Sequence, residues 1–239
     1  MLGPQMDKRA LLLTRPDDSA ARFVARLSDC AMQSVVTCFS PLLEIVSTGE
    51  TADLTQVDAV IFTSARAVEF VPAVSQFATF CVGVQTAEAA RSNGWDVKLV
   101  AQTADALVAS MRAAKVKGRL LHLAGVHRRG QIAARLGETG SLVEVVPLYE
   151  QRLLPLSDAA KDLLSGEIPV VVPLFSPRTA AQFVDQAPEL GRAVVAAISP
   201  AVAQVFESGS VKAMHIAEAP TGDDMARLVE MLLCHDRLP

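Results

Sequence analysis

Apolar residues in this chain come in short unbroken runs rather than in the alternating pattern of a half-exposed strand. Positions 10–14, 35–39, 59–63, 80–84, 97–100, 120–124, 142–148, 170–175, 194–198 and 214–217 read as strands. Because these runs are apolar on both faces, the sheets they form must be covered on both sides. Helix-period segments lie between most of them, so the connections are crossovers and the sheets parallel; the fold class is α/β, doubly wound. Oxygen-bearing side chains stand where they can cap the helices: Asp17-Asp18-Ser19, Ser64, Thr86, Thr103, Ser157 and Ser176.

The chain also echoes itself. DAVIFTSARAVEFV (58–71) is similar to VVPLFSPRTAAQFV (171–184), each a buried strand followed by Ser, Arg and a helix. VGVQTAEAARSNG (82–94) then matches ISPAVAQVFESG (198–209), and AQTADAL (101–107) matches APTGDDM (219–225). The offset between copies stays nearly constant from Ser64/Ser176 to Thr103/Thr221, which predicts two related α/β units. The echo starts only after the first strand–helix–strand, so that opening piece is assigned to the second copy. The stretches 39–45 and 147–154 are extended, Pro-bounded and flank the middle unit, as a two-stranded linker would be. The expected domains are therefore 1–38 with 155–239, and 46–146, with Tyr149 at the hinge between them.

Length and composition agree with this division. At 239 residues, 51% apolar and 20% charged, the chain has material for two cores and too little charge for disorder. A net charge of −4 provides no general attraction to nucleic acid or anionic lipid, so any anionic ligand must be held locally. Cys30, Cys38, Cys81 and Cys234 form no C-x-x-C pair and are expected to pack as reduced apolar side chains, with no metal site. The first apolar run, 10–13, is too short for a signal segment, and no stretch reaches the roughly 20 apolar residues of a membrane-spanning helix. A cytoplasmic monomer that binds neither nucleic acid nor membrane is expected.

Three constellations could carry chemistry. Thr14, Ser64, Thr86 and Ser176 sit at the C-terminal ends of strands, the edge that faces the ligand crevice in open α/β sheets. Helix starts there offer N–H donors to carboxylates or phosphates; for any single residue capping alone is the plainer explanation, and the Ser64/Ser176 pairing speaks against it. Arg15, Arg66, Arg128, Arg129 and Arg178 form a sparse basic set suited to a polycarboxylate. Of these Arg15 and Arg129 stand out, the others fitting a solvated face. Tyr149 is the one tyrosine of the chain; its phenol could protonate a departing hydroxyl, or its ring could simply pack. No dinucleotide or Walker loop, nucleophile elbow or zinc-helix motif is present, and His122, His127, His215 and His235 are scattered as surface or core-edge residues would be.

The ordered series LLLTRP, AVIFTSARAV, CVGVQTAEAARSNG, KGRLLHLAGVHRRGQIAARL, VVPLYEQR, LFSPRTAAQF and AEAPT resembles the uroporphyrinogen-III synthase family across nearly the whole length. That resemblance implies two α/β domains on a two-stranded linker and a cofactor-free lyase that closes the linear tetrapyrrole hydroxymethylbilane. The implied chemistry is loss of the terminal hydroxyl to an azafulvene, attack by ring D through a spiro intermediate, and inversion of ring D. By resemblance Tyr149 falls on the family's tyrosine and is the expected general acid. Ser64, Thr86, Ser176 and Arg129 fall on cleft-lining positions, and Arg15 on the usual TRP site. The sequence departs from the family at Ser199-Pro200-Ala201-Val202, where a Gly and a Thr are usual, which weakens any claim for side-chain binding there; backbone N–H groups of Val202 and Ala203 could still serve.

Two other readings stand beside this one. A two-domain receptor or regulator would bind a tetrapyrrole or another polycarboxylate without turnover, since architecture alone does not decide function. A nucleotide-dependent enzyme would need the phosphate loops that are missing.

Overall fold

The computed structural model describes residues 9–72, 76–128 and 130–234. The chain opens with β1 (Arg9–Leu13), α1 (Asp17–Val24), α2 (Asp29–Met32) and β2 (Val35–Phe39). It continues through β3 (Leu43–Ser47), β4 (Ala59–Phe62), α3 (Ala65–Val68), β5 (Ala78–Val82), α4 (Val84–Ser92), β6 (Asp96–Ala101) and α5 (Ala104–Ala113). Next come β7 (Arg119–Gly125), α6 (Ile132–Gly137), β8 (Leu142–Leu153), α7 (Asp158–Ser165), β9 (Val170–Leu174) and α8 (Pro177–Gln186). The chain closes with β10 (Ala193–Ala197), α9 (Pro200–Ala203), β11 (Ala213–Ile216) and α10 (Gly222–Cys234). All ten predicted strands are present. The added one, β3, begins in the stretch expected as linker and runs two residues past it, and β8 runs on into the other.

Two compact units result. One runs to Glu44 and resumes at Leu153; the other is Ile45–Arg152. The first holds a sheet of order β11-β10-β9-β1-β2, the second a sheet of order β3-β8-β7-β4-β5-β6. From β1 to β2, β1 to β9, β9 to β10 and β10 to β11 every pairing is parallel, as are β4–β5, β5–β6, β4–β7 and β7–β8.

Successive residues of the central strands feed opposite faces, which is why the runs carry no polar alternation. In β1, Ala10 and Leu12 join the core beneath α7 and α8, whereas Leu11 and Leu13 join the core beneath α1 and α10. In β4, Val60 and Phe62 face α3 and α4, whereas Ala59 and Ile61 face α5 and α6. Each unit thus has two cores divided by its sheet.

The echo acquires a topological meaning. β4-β5-β6 and β9-β10-β11 are the same consecutive series in the two sheets, and the strands across from them are β7-β8 in one unit and β1-β2 in the other. The two units therefore share one strand layout, with the second half of one supplied by the opening segment of the chain. That permutation explains why the likeness in sequence begins only after β2.

Some expectations fail for local reasons. α1 has Pro16 at its N-cap without a side-chain bond, and Asp17 and Asp18 lie inside its first turn, where a negative charge meets the positive end of the helix dipole. Thr86 caps nothing: Gly83, at φ +85°, turns the chain so that α4 begins at Val84, and Thr86 is buried one turn in. Cys30 and Cys234 are exposed rather than packed, Cys38 is half-buried, and only Cys81 is in the core. Ser64, Thr103, Ser157 and Ser176 do cap their helices.

Phe62 is fully buried and meets Trp95 edge-on at 5.1 Å. Phe62→Ala is expected to cost about 3–5 kcal/mol in urea unfolding. Because its core belongs to the Ile45–Arg152 unit, the loss of amide-exchange protection should be greatest there.

Candidate active site

In each sheet the order of strands reverses at one place, and there the loops leaving two neighbouring strands diverge to opposite faces. Such a point opens a crevice at the C-terminal edge. In the first unit it falls between β1 and β9, in the second between β4 and β7.

At the first reversal β1 delivers Thr14 and Arg15, and β9 delivers Phe175 and Ser176. Thr14 is buried, and its carbonyl accepts from Leu42 N–H at 3.0 Å, so the end of β1 is held rigidly. The Arg15 guanidinium lies 4.0 Å over the ring of Phe175, which is itself edge-on to Phe23 at 5.2 Å. A guanidinium stacked on a ring keeps its charge, which favours a carboxylate. The Ser176 hydroxyl accepts from Thr179 N–H at 3.1 Å and also shares a short hydrogen bond with the Thr179 hydroxyl. Pro177 at the first helical position leaves one fewer N–H to satisfy and pre-sets the turn. Arg15 and Ser176, predicted separately, meet at this reversal.

At the second reversal β4 leads to Thr63 and Ser64, and β7 to Gly125 and Val126. Ser64 accepts from Arg66 N–H at 3.2 Å, but α3 is a single turn and then tightens into i→i+3 bonds. Its dipole is correspondingly small. Arg66 pairs with Glu69 at 3.0 Å. Arg128 is exposed in the loop after β7 rather than on a helix face, and lines a pocket of about 380 Å³ with His122, Gln131, Ile132 and Val145. Arg129 lies outside the described residues, as does His235.

Tyr149 also arrives at this reversal. It is buried in the core beneath α3 and α4, and its ring stacks on Phe70 with centroids 5.7 Å apart. A Cβ placed on Gly125 would come within 3.1 Å of the phenol oxygen, so the hydroxyl lies against the last residue of β7. Phe70, just past α3 on the β4 side, and Gly125, at the end of β7, therefore both reach one phenol.

Thr86 follows β5, away from the reversal, and is buried. At α9 the backbone donors of Val202 and Ala203 are already engaged: both N–H groups donate to the Ser199 carbonyl, at 3.0 and 3.3 Å. Among the described residues no group of His, Cys, Asp and Glu is arranged to hold a metal ion. No helix among them is long and apolar enough to cross a membrane.

Sequence reasoning missed His122. It stands in the middle of β7, is 2% exposed, and its Nε2 is 3.1 Å from the Thr63 hydroxyl, immediately before Ser64. Burial, with a smaller contribution from the Arg128 charge, pushes its pKa down to about 4, so the ring is neutral at neutral pH. Its place inside the apolar run LLHLAG was the available signal. A polar side chain within a run buried on both faces must find a partner, and Thr63 is that partner.

Comparison with known proteins agrees with this architecture. A family model described as "Uroporphyrinogen-III synthase HemD" matches residues 26–227. A uroporphyrinogen-III synthase of Chlorobaculum parvum is 27% identical over 243 residues, covering 92% of this chain and 98% of that protein. A crystal structure of a uroporphyrinogen-III synthetase from Helicobacter pylori superposes with a TM-score of 0.65 at 17% identity, over 94% of this chain and 99% of that one. A mutant synthase from Thermus thermophilus does so with a TM-score of 0.54 at 14% identity, over 94% and 98%. At those identities the two solved structures speak for the fold alone.

The buried His122 has a consequence for acid stability. An unfolded histidine titrates near 6.5 and this one near 4, so between those values the unfolded chain binds more protons. Its contribution to stability is present above about pH 6.5 and is lost as pH falls toward about 4. His122→Gln should flatten that part of the stability profile, as read by urea unfolding at a series of pH values.

Proposed function

Because the chain belongs to the uroporphyrinogen-III synthase family, lyases of heme biosynthesis, we propose that it closes hydroxymethylbilane to uroporphyrinogen III with loss of water and inversion of ring D. The observation that carries this reading is the matched pair of strand-order reversals. One presents Arg15 and Ser176, whose cation and hydroxyl suit a carboxylate, and the other presents Ser64 with the buried Tyr149.

The proposed substrate has acetate and propionate groups along its length, and each unit by itself offers groups to them. Arg15, stacked on Phe175, offers its positive charge to one carboxylate. Ser64 and Ser176 lend their hydroxyls beside the N–H groups of the helix starts they cap, and Arg129, outside the described residues, is proposed from the sequence alone as a further cation. Thr86, being buried, contributes by shaping the loop after β5 rather than by direct contact.

Tyr149 is assigned the general-acid role. The phenol donates its proton as the terminal C–O bond breaks, the hydroxyl leaves as water, and the remaining cation is the protonated azafulvene. Ring D attacks through its substituted carbon to give the spiro intermediate. Bond migration then closes the macrocycle with ring D inverted, and the proton released on rearomatisation restores the phenol. Substrate and product differ by one water, so no electrons are exchanged and no redox partner is needed. The protein's own share is orientation: holding the chain folded so that the substituted carbon, not the unsubstituted one, meets the cation.

The test is direct. Purified protein incubated with freshly made hydroxymethylbilane should yield the type III isomer after chromatographic separation. Type I alone would make the protein a tetrapyrrole receptor without turnover. Tyr149→Phe should keep its fold and lose at least about tenfold in rate, the loss of one general acid; an unchanged rate would leave binding geometry as the whole of catalysis.

A further inference from the structure

The position of the Tyr149 ring is determined by residues far from it in sequence. β7 and β8 pair in register from Arg119↔Leu142 to Ala124↔Pro147, and at that rate Gly125 would face Leu148. Instead the register shifts, and Gly125 faces Tyr149. Pro147 has no N–H to continue the ladder, and the carbonyls of Pro147 and Leu148 accept from the Thr48 hydroxyl (2.5 Å) and N–H (3.1 Å). The bulge skips an apolar leucine and re-aims the phenol onto the end of β7, the use to which bulges beside sites are put. Val126 N–H donates to the Tyr149 carbonyl at 2.9 Å and holds the shifted register.

Gly125 then leaves the ring room. A Cβ there would stand 2.7 Å from the ring Cζ, 2.8 Å from Cε2 and 3.1 Å from the hydroxyl oxygen. All three are the hydroxyl-bearing end of the ring, so a side chain at 125 would push aside the part that is to do chemistry. The glycine is required here by space. Phe70 fixes the ring's tilt, since the two planes are only 16° from parallel. Its own loop is tied down by Asn93, whose amide donates to the carbonyls of Val68 and Val71 at 3.3 Å each.

We propose that Gly125 and Phe70 are positioning residues for the Tyr149 hydroxyl, setting where the proton is delivered during ring closure. The inference rests on the acid role assigned to Tyr149 and goes beyond it by naming the residues through which that role is set. Neither residue touches the reacting atoms; each acts through the phenol.

Tyr149 is the one tyrosine in the chain, so protein grown with ring-¹³C tyrosine reports this side chain alone by NMR. Gly125→Ala is expected to move the Tyr149 ring resonances and lower kcat by about 10- to 100-fold, the order of loss that a small misplacement causes. KM should stay within about twofold, because substrate contacts are untouched. Phe70→Leu should do the same without adding bulk, whereas Phe70→Tyr, which preserves the stack, should retain kcat. Folding of each variant is checked by its melting transition, and Phe70→Leu decides the matter should Gly125→Ala fail to fold. Ring resonances that stay put in the folded variants, or that move while kcat stays intact, overturn the proposal. Tyr149→Phe separates this failure from failure of the acid role. A full rate in that variant overturns the acid reading, whereas a slow Tyr149→Phe beside a fast Gly125→Ala with a displaced ring overturns the positioning alone.

Discussion

The structure depends on one constraint: a parallel sheet covered on both faces must reverse its strand order somewhere. Right-handed crossovers place helices on one face when the sheet grows in one direction and on the other face when it grows in the opposite direction. Where growth changes direction, two strand ends lie side by side with their loops parting. β1 and β9 are such a pair, and β4 and β7 another. Every residue with a credible chemical role except Thr86 follows one of these four strands or, like Tyr149, is brought to one by pairing. The same burial that makes the strands apolar on both faces therefore confines polar function to their ends.

The permutation between units has a further effect. At the reversal in the second unit both loops come from one continuous stretch of chain, whereas in the first unit β1 and β9 come from the segments before and after the second unit. Arg15 and Ser176 become neighbours only once the opening segment has joined β9. The first unit thus cannot complete its edge until the chain beyond the second unit has been made, and loop closure over that separation is entropically modest once the intervening unit has folded.

Most of the fold was legible in the sequence because its signal is local. Runs buried on both faces name their own strands, and Ser64, Thr103, Ser157 and Ser176 announce helix starts through a bond that spans three residues or fewer. The repeat supplied the two-unit plan. What escaped the reading was set by contacts at long range or by a single turn. Gly83 shifted α4 and stripped Thr86 of its capping role. The tightness of α9 consumed the Val202 and Ala203 donors. His122 needed Thr63, 59 residues away, before its burial made sense. Gly125 and Phe70 gain meaning only from Tyr149, which lies far along the chain from both; no spacing rule connects a glycine on one strand with a ring on the next when a bulge has changed the register.

Magnitudes say what kind of catalyst this arrangement can be. The strongly shifted groups among the described residues are His122, lowered to about 4, and Cys81, raised to about 11, and for both the leading cause is burial, which favours the neutral form. Neither is a charged nucleophile or base held ready. A reaction that needed one would be badly served here, but the proposed closure asks chiefly for selection between two carbons of the same ring. A hundredfold preference corresponds to roughly 2.7 kcal/mol in the transition state. Orientation of a bound chain can supply that and more. The rigid features, a bulge, a glycine slot and a stacked ring beside one phenol, match a requirement for placement rather than for strong acid–base activation.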